Sequence, residues 1–217
     1  MIFALVGGIM LRVFTIVVTS LLLGINTHAA DSEKCFSESD RLASGKDIYE
    51  EAIPTKLSRI QERNLRSLFR SLKGDWKGKS VGFFCLGSES NPRIKFDNFF
   101  VTGEVPRDFD DNFQLEAKFE DDERGIKRQE KVRLFVNEGY LRFDNRNKRG
   151  DVELISVEKR SLTFSAISRR SNGQGNLGPV QEIRFTLIFD GSWLRLKYKV
   201  YIQGILASVA NWSLHRD

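Results

Sequence analysis

Residues 71–87 read SLKGDWKGKSVGFFCLG, and within this stretch one kind of sequence pattern gives way to another. Trp76 stands between two glycines, and a short apolar run that ends in Cys85 follows it. Gly74 comes directly after a segment with helical spacing, where glycine is a typical helix stop. The apolar run has the length and composition of a strand. The stretch therefore predicts the end of a helix and the beginning of the first strand of a sheet.

The residues before this stretch repeat at helical spacing. Apolar side chains recur every three or four positions and cover about half of a helical wheel; they are Leu57, Ile60, Leu65, Leu68, Phe69 and Leu72. Pro54 suits the start of a helix and Gly74 suits its end. We therefore predict one amphipathic helix over residues 55–73, preceded by a polar N-terminal segment over residues 31–54.

The opposite face of this predicted helix is basic. Residues 56–73 carry six basic side chains and one acidic side chain. Like charges on one helix face repel one another, so an anionic surface such as lipid head groups or an envelope polysaccharide would stabilise them. The candidate contacts are Arg59, Arg63, Arg66 and Arg70, and a plain solvated face is the alternative. The apolar face would either cap the rest of the fold or lie on a membrane.

From the first strand onward, over residues 74–217, the sequence period is two. Apolar and polar side chains alternate, as along residues 113–120 and 194–202, which is typical of antiparallel strands with one buried face. We count about nine or ten strands, near residues 79–87, 93–103, 112–120, 130–137, 139–144, 151–157, 161–168, 181–189, 192–203 and 205–215. Closing such a meander hides its edges, which favours an all-β domain, an antiparallel up-and-down β-barrel of about eight to ten strands. A two-sheet sandwich is the alternative.

Gly74-Asp75-Trp76 follows the predicted helix and directly precedes the first strand, and it resembles the G-x-W signature of the lipocalin and wider calycin superfamily. The resemblance implies a barrel in which this tryptophan plugs one end and a basic residue of the last strand packs on its ring. Arg216 ends the last apolar run and is the candidate for that cation–π contact.

Aromatic side chains are abundant in the predicted strands. The candidates for inward positions are Phe83, Phe96, Phe113, Phe119, Phe164, Phe185 and Tyr198. A small barrel either fills its interior with such side chains or holds one apolar ligand among them. Both possibilities stay open at the level of sequence.

The N-terminus indicates export. Residues 1–30 are apolar with Arg12 as their single charge, and they end in small residues, so we predict a signal peptide cleaved near Ala29 or Ala30. An uncleaved membrane anchor is the alternative. In an exported protein the pair Cys35 and Cys85 predicts one disulfide, with two free thiols as the alternative. We therefore expect a periplasmic or secreted protein.

Residues suited to catalysis or metal binding are scarce. Beyond the predicted signal peptide the single histidine is His215, two residues from the C-terminus, which argues against a Ser-His-Asp or Cys-His device and against a zinc site. The net charge of the whole chain is +5, which does not call for a nucleic-acid partner. We expect no enzymatic activity, no cofactor and no metal; an enzyme would have to rely on carboxylates or tyrosines in a cavity.

These observations predict an exported monomer that binds or transports a small apolar or amphipathic molecule. The alternative is a structural or interaction protein of the cell envelope, with a filled barrel and a basic helix that binds an anionic partner.

Overall fold

The computed structural model describes residues 34–47, 53–107, 112–145, 148–171 and 177–217. The predicted signal peptide lies outside these residues. The described part of the chain forms α1 (Asp40–Ala43), α2 (Arg59–Ser71), β1 (Gly74–Ser88), β2 (Asn91–Val105), β3 (Asn112–Asp121), β4 (Ile126–Asn137), β5 (Tyr140–Asn145), β6 (Lys148–Val157), β7 (Ser161–Ser171), β8 (Leu177–Phe189), β9 (Trp193–Ile202) and β10 (Ile205–Arg216).

The ten strands form one closed antiparallel barrel. Each strand pairs with its neighbours in sequence, and β10 returns to pair with β1 from Trp76↔Arg216 to Phe84↔Ser208. This confirms the predicted up-and-down barrel and excludes the two-sheet sandwich. The β1–β2 hairpin pairs over its full length, whereas β3 pairs with β2 only along residues 100–104. The far half of this hairpin therefore extends past β3.

Helix α2 begins at Arg59 because a capping box precedes it. The Ser58 side chain accepts a hydrogen bond from the Gln61 amide, and the Gln61 side chain accepts one from the Ser58 amide at 2.8 Å. The residues before Ser58 are extended, since Lys56 forms a β-bridge with Tyr140. The observed helix is thus shorter than the predicted range of 55–73 at both ends.

The apolar face of α2 caps one end of the barrel. Its buried side chains are Leu65, Leu68 and Phe69, with Leu72 directly after the helix, and all four belong to the main core. Phe69 stacks on Phe113 of β3 with 6.1 Å between ring centroids. Ile60, which the helical spacing assigned to the apolar face, is instead 67% exposed. The apolar face of α2 therefore caps the barrel, which is one of the two arrangements expected from the sequence.

The N-terminal segment lies on the outer surface of the barrel. The predicted Cys35–Cys85 disulfide is confirmed, with 5.4 Å between the Cα atoms. Main-chain hydrogen bonds from Phe36 to Leu206 and from Ser39 to Gly204 run the segment along the β9–β10 hairpin. The segment is thereby held on the outside of the barrel by both covalent and main-chain contacts.

Candidate functional site

A plug closes the end of the barrel that α2 covers. Trp76 is buried in this plug, and its indole N–H donates to the Leu72 carbonyl at 2.8 Å. The guanidinium carbon of Arg216 lies 5.1 Å from the Trp76 ring centroid, and Arg216 also donates to the Ser71 carbonyl. Phe189 packs edge-on against the same indole at 6.2 Å. The two residues predicted to plug the barrel end, Trp76 and Arg216, are therefore in contact with each other.

An aromatic layer crosses the interior beyond this plug. Successive ring centroids in the layer are 4.8–5.3 Å apart, and its members are Phe143, Phe164, Phe185, Tyr198, Trp212 and Phe119. Four of the predicted inward aromatics belong to it. A fifth, Phe113, lies on the helix side against Phe69. These contacts make the layer a continuous floor across the barrel.

Phe83 and Phe96 do not line the interior, and their assignment as cavity residues is wrong. The inward side chains of β1 have even numbers, from Trp76 to Gly82, so Phe83 faces outward. It packs against a small outer cluster of Tyr201, Leu206 and Val209. Phe96 is the register partner of Phe83 and is 62% exposed. The barrel closes with the opposite face of the β1–β2 hairpin inside.

Several inward positions on the far side of the aromatic layer carry small side chains, and Phe84 and Val200, the register partners of Ser208, share the same face. We call this region the cup and define it by Gly82, Ser168, Ser208 and Ala210. Gly82 and Ala210 are register partners on β1 and β10, and Ser208 lies two positions along β10 on the same face. Ser168, Ser208 and Ala210 remain partly exposed. The main core therefore occupies the helix side of the interior, and the cup holds small, partly exposed side chains beside the exposed Phe84.

Two charged residues of β4 stand beside the cup. Arg128 and Glu130 share the inward face of β4 with the buried Val132. The guanidinium carbon of Arg128 lies 4.4 Å from the ring centroid of Phe99 and 4.5 Å from that of Phe119. Its Nε lies 3.5 Å from the Glu130 Oε1. The cation thus rests on the edge of the aromatic layer, where it gains cation–π attraction.

Three inward donor atoms in this region make no hydrogen bond to the described protein. They are Arg128 Nε, Tyr198 Oη and Trp212 Nε1. Tyr198 and Trp212 are 7% and 2% exposed. Burial, and to a smaller extent the negative charge of Glu130, raises the pKa of Tyr198 well above its ordinary value, so the phenol keeps its proton at neutral pH.

Sequence reasoning identified Tyr198 but missed the other two donors. Trp212 could have been found, because it alternates in phase with the buried Leu214 along β10. Arg128 could not, because it lies in the charged run KRQEK of β4, where the apolar alternation that marks a face is lost.

A second polar cluster lies on the outer face of the barrel beneath α1. Glu153 accepts hydrogen bonds from Arg41 at 2.8 Å and from Lys46 at 2.9 Å. Asp40 pairs with Arg184 of β8, and the hydrogen bond from that guanidinium lowers the pKa of Asp40. These side chains line a cavity of about 150 Å³. Its acids and bases bind one another, so the cluster holds the N-terminal segment against the sheet.

The basic face of α2 is accessible to solvent. The four arginines predicted to contact an anionic surface are all exposed, namely Arg59, Arg63, Arg66 and Arg70. Within the described ranges, no three or more His, Cys, Asp or Glu side chains come together as a metal site. Nor does that part of the chain include a helix with the length and apolar character needed to span a membrane.

No family model and no curated protein matches the sequence. The chain resembles a crystal structure of a protein of unknown function of the DUF3598 family from Nostoc punctiforme, with 14% sequence identity and a TM-score of 0.40. The match covers 76% of this chain and 51% of that chain, so this chain spans about half the length of the structure it matches.

Proposed function

We propose that the protein is a non-catalytic binding or transport protein for a small apolar or amphipathic molecule held in the cup of a lipocalin-like barrel. The observation that carries the proposal is the uneven filling of the interior. Large side chains fill the helix side up to the aromatic layer, whereas beyond it the small residues Gly82, Ser168, Ser208 and Ala210 stand beside Phe84 and Val200. Small barrels with such a partly filled interior hold one ligand on the filled part as a floor.

Two further observations support the details of the proposal. The G-x-W stretch and the contact of Arg216 with Trp76 favour a lipocalin-like barrel end. The Cys35–Cys85 disulfide favours an oxidising compartment, in agreement with export directed by residues 1–30. The proposal assigns no catalytic residue and no cofactor.

The experiment that tests this proposal is a titration with an amphipathic, environment-sensitive fluorophore. Ser208→Phe would fill the cup, whereas Ser213→Phe places the same side chain on the exposed outer face of the same strand. We expect the fluorophore to bind the wild type and Ser213→Phe equally, and Ser208→Phe about tenfold more weakly or not at all. Equal binding by all three proteins would place the fluorophore outside the cup and contradict the proposal.

A second candidate function is the binding of an anionic lipid surface or envelope polysaccharide through α2. The apolar face of this helix is buried in the barrel core, so such binding would depend on the exposed arginines alone. Attraction of this kind weakens as salt rises. We expect charge reversal at Arg59, Arg63, Arg66 and Arg70 to abolish sedimentation with anionic vesicles at low salt, and to leave the fluorophore affinity of the cup unchanged.

A further inference from the structure

We propose that the ligand of the cup carries a neutral hydrogen-bond acceptor, such as a ketone, ester or amide carbonyl, and that Tyr198, Trp212 and Arg128 donate to it. The inference rests on the proposed function and adds the chemical class of the ligand.

The site presents buried hydrogen-bond donors and lacks an acceptor for them. Indole and guanidinium nitrogens only donate hydrogen bonds, and the phenol of Tyr198 is a donor while it keeps its proton. All three donor atoms are buried and make no hydrogen bond in the described protein, although Arg128 Nε lies 3.5 Å from the Glu130 carboxylate. Buried polar groups in native proteins are almost always hydrogen-bonded. An acceptor supplied by a ligand would therefore satisfy these donors, whereas a further donor would not.

The side chains that carry the three donors lie close together. The rings of Tyr198 and Trp212 are 5.2 Å apart, and Trp212 lies 4.8 Å from Phe119. The Arg128 guanidinium carbon stands 4.5 Å from that same Phe119 ring. The three side chains are thus neighbours in one part of the aromatic layer, and a ligand that lies there would present its polar atom to their donors.

The charges around the three donors favour a neutral ligand. The cation of Arg128 already faces Glu130 at 3.5 Å. The next inward acids along the same side, Asp97 and Asp121, share Arg124 at 3.5 Å each. Lys95 shares the inward face of Phe84 and Ser208, so three bases balance these three acids and the region offers no net positive charge to a carboxylate. A neutral acceptor needs no such charge to keep its hydrogen bonds here.

A competition experiment with chain-matched probes tests the inference. Methyl nonyl ketone, undecane and undecanoate have the same number of carbons and differ in the acceptor and its charge. Each would compete with the fluorophore for the wild-type protein at neutral pH. We expect the ketone to displace the fluorophore at a concentration about tenfold lower than either undecane or undecanoate.

Three conservative variants locate the effect. Tyr198→Phe and Trp212→Phe remove a donor and keep a ring, so each should weaken the ketone about three- to tenfold and leave undecane unchanged. Tyr201→Phe makes the same change on the outer face of the same strand and should leave both unchanged. Because Tyr198→Phe also removes an unsatisfied donor from the empty protein, we expect its melting temperature to stay level or rise.

The outcomes separate this inference from the proposed function. If the wild type binds the fluorophore but shows no preference for the ketone, or prefers undecanoate, the acceptor inference is wrong and the binding function stands. The same holds if the ketone preference survives in both ring-preserving variants, since ordered water would then satisfy the donors. If the wild type binds neither the fluorophore nor any probe, the inference and the proposed function are both wrong.

Discussion

Phe96 and Phe185 both lie in strands, and only Phe185 faces the barrel interior. Phe185 is fully buried and contacts Phe143, Phe164 and Tyr198 in the aromatic layer. Phe96 is 62% exposed on the outer face of the β1–β2 hairpin. The energetic importance of an aromatic residue in this chain therefore depends on the face of its strand.

This difference predicts two unequal substitutions. Phe185→Ala should lower the free energy of unfolding by about 3–5 kcal/mol, because it leaves a cavity in the aromatic layer. Phe96→Ala should change it by no more than about 0.5 kcal/mol, as expected for an exposed position. Chemical denaturation of both variants beside the wild type measures the two values. Similar losses would contradict the assignment of faces.

Phe96 and Phe185 also show how much of the side-chain placement the sequence predicts. Alternation identifies which residues of a strand share a face, and it placed Phe113, Phe119, Phe164, Phe185 and Tyr198 correctly. It fails in β1, where glycine and serine occupy the inward positions next to Trp76 and the bulkier Val81 and Phe83 face outward. Which face is inside there is decided by pairing with β10 and not by apolar content.

At the scale of elements, the N-terminal segment is a clamp on the outer surface. The Cys35–Cys85 bond closes a loop of 50 residues, which stabilises the fold by about 4 kcal/mol in the chain-entropy account. The double variant Cys35→Ser/Cys85→Ser should lower the free energy of unfolding by about this amount. Reduction of the disulfide in the wild type should lower the free energy of unfolding by a similar amount. If neither the double substitution nor the reduction lowers it, the N-terminal segment does not act as a clamp.

The ion pair between Asp40 of α1 and Arg184 of β8 should make the clamp sensitive to acid. The pKa of Asp40 is lowered in the folded protein, chiefly by the hydrogen bond from Arg184. A lowered carboxyl pKa stabilises the fold at pH values above the unfolded pKa of about 3.9, and this stabilisation is lost as pH falls through the folded value. Asp40→Asn should therefore melt below the wild type at neutral pH.

Thermal melting across the acid range provides the check. The gap in melting temperature between the wild type and Asp40→Asn should close as the pH falls below about 3.9. Glu89→Gln removes an acid from the exposed β1–β2 turn and is the matched control, for which no such gap is expected. A gap for Asp40→Asn that persists unchanged at low pH would show that the ion pair is not its cause.

The start of α2 could have been predicted from the sequence. Ser58 and Gln61 have the spacing of a capping box, which marks the observed start more exactly than Pro54 does. The β-bridge between Lys56 and Tyr140 could not have been predicted from local sequence patterns, because it joins residues far apart in sequence.

For the whole molecule, local pattern predicts strands but not closure. A sandwich and a barrel satisfy the same alternation and the same short turns, and they differ in the partner of β1. Here β1 pairs with β10, from Trp76↔Arg216 onward, a long-range choice that no local pattern encodes. The cup is likewise a product of register, since Gly82, Ser208 and Ala210 meet only once the barrel is closed. The sequence thus predicts that a cavity is possible but not where it lies.

Our proposal for the whole molecule is that the barrel holds a small apolar or amphipathic molecule in its cup. Native mass spectrometry of the protein purified from its own host, followed by organic extraction, would detect such a molecule. We expect a discrete added mass in the wild type that passes into the organic phase and is absent from Ser208→Phe purified in the same way. A bare wild-type mass, with no compound enriched in its extract relative to Ser208→Phe, would contradict it.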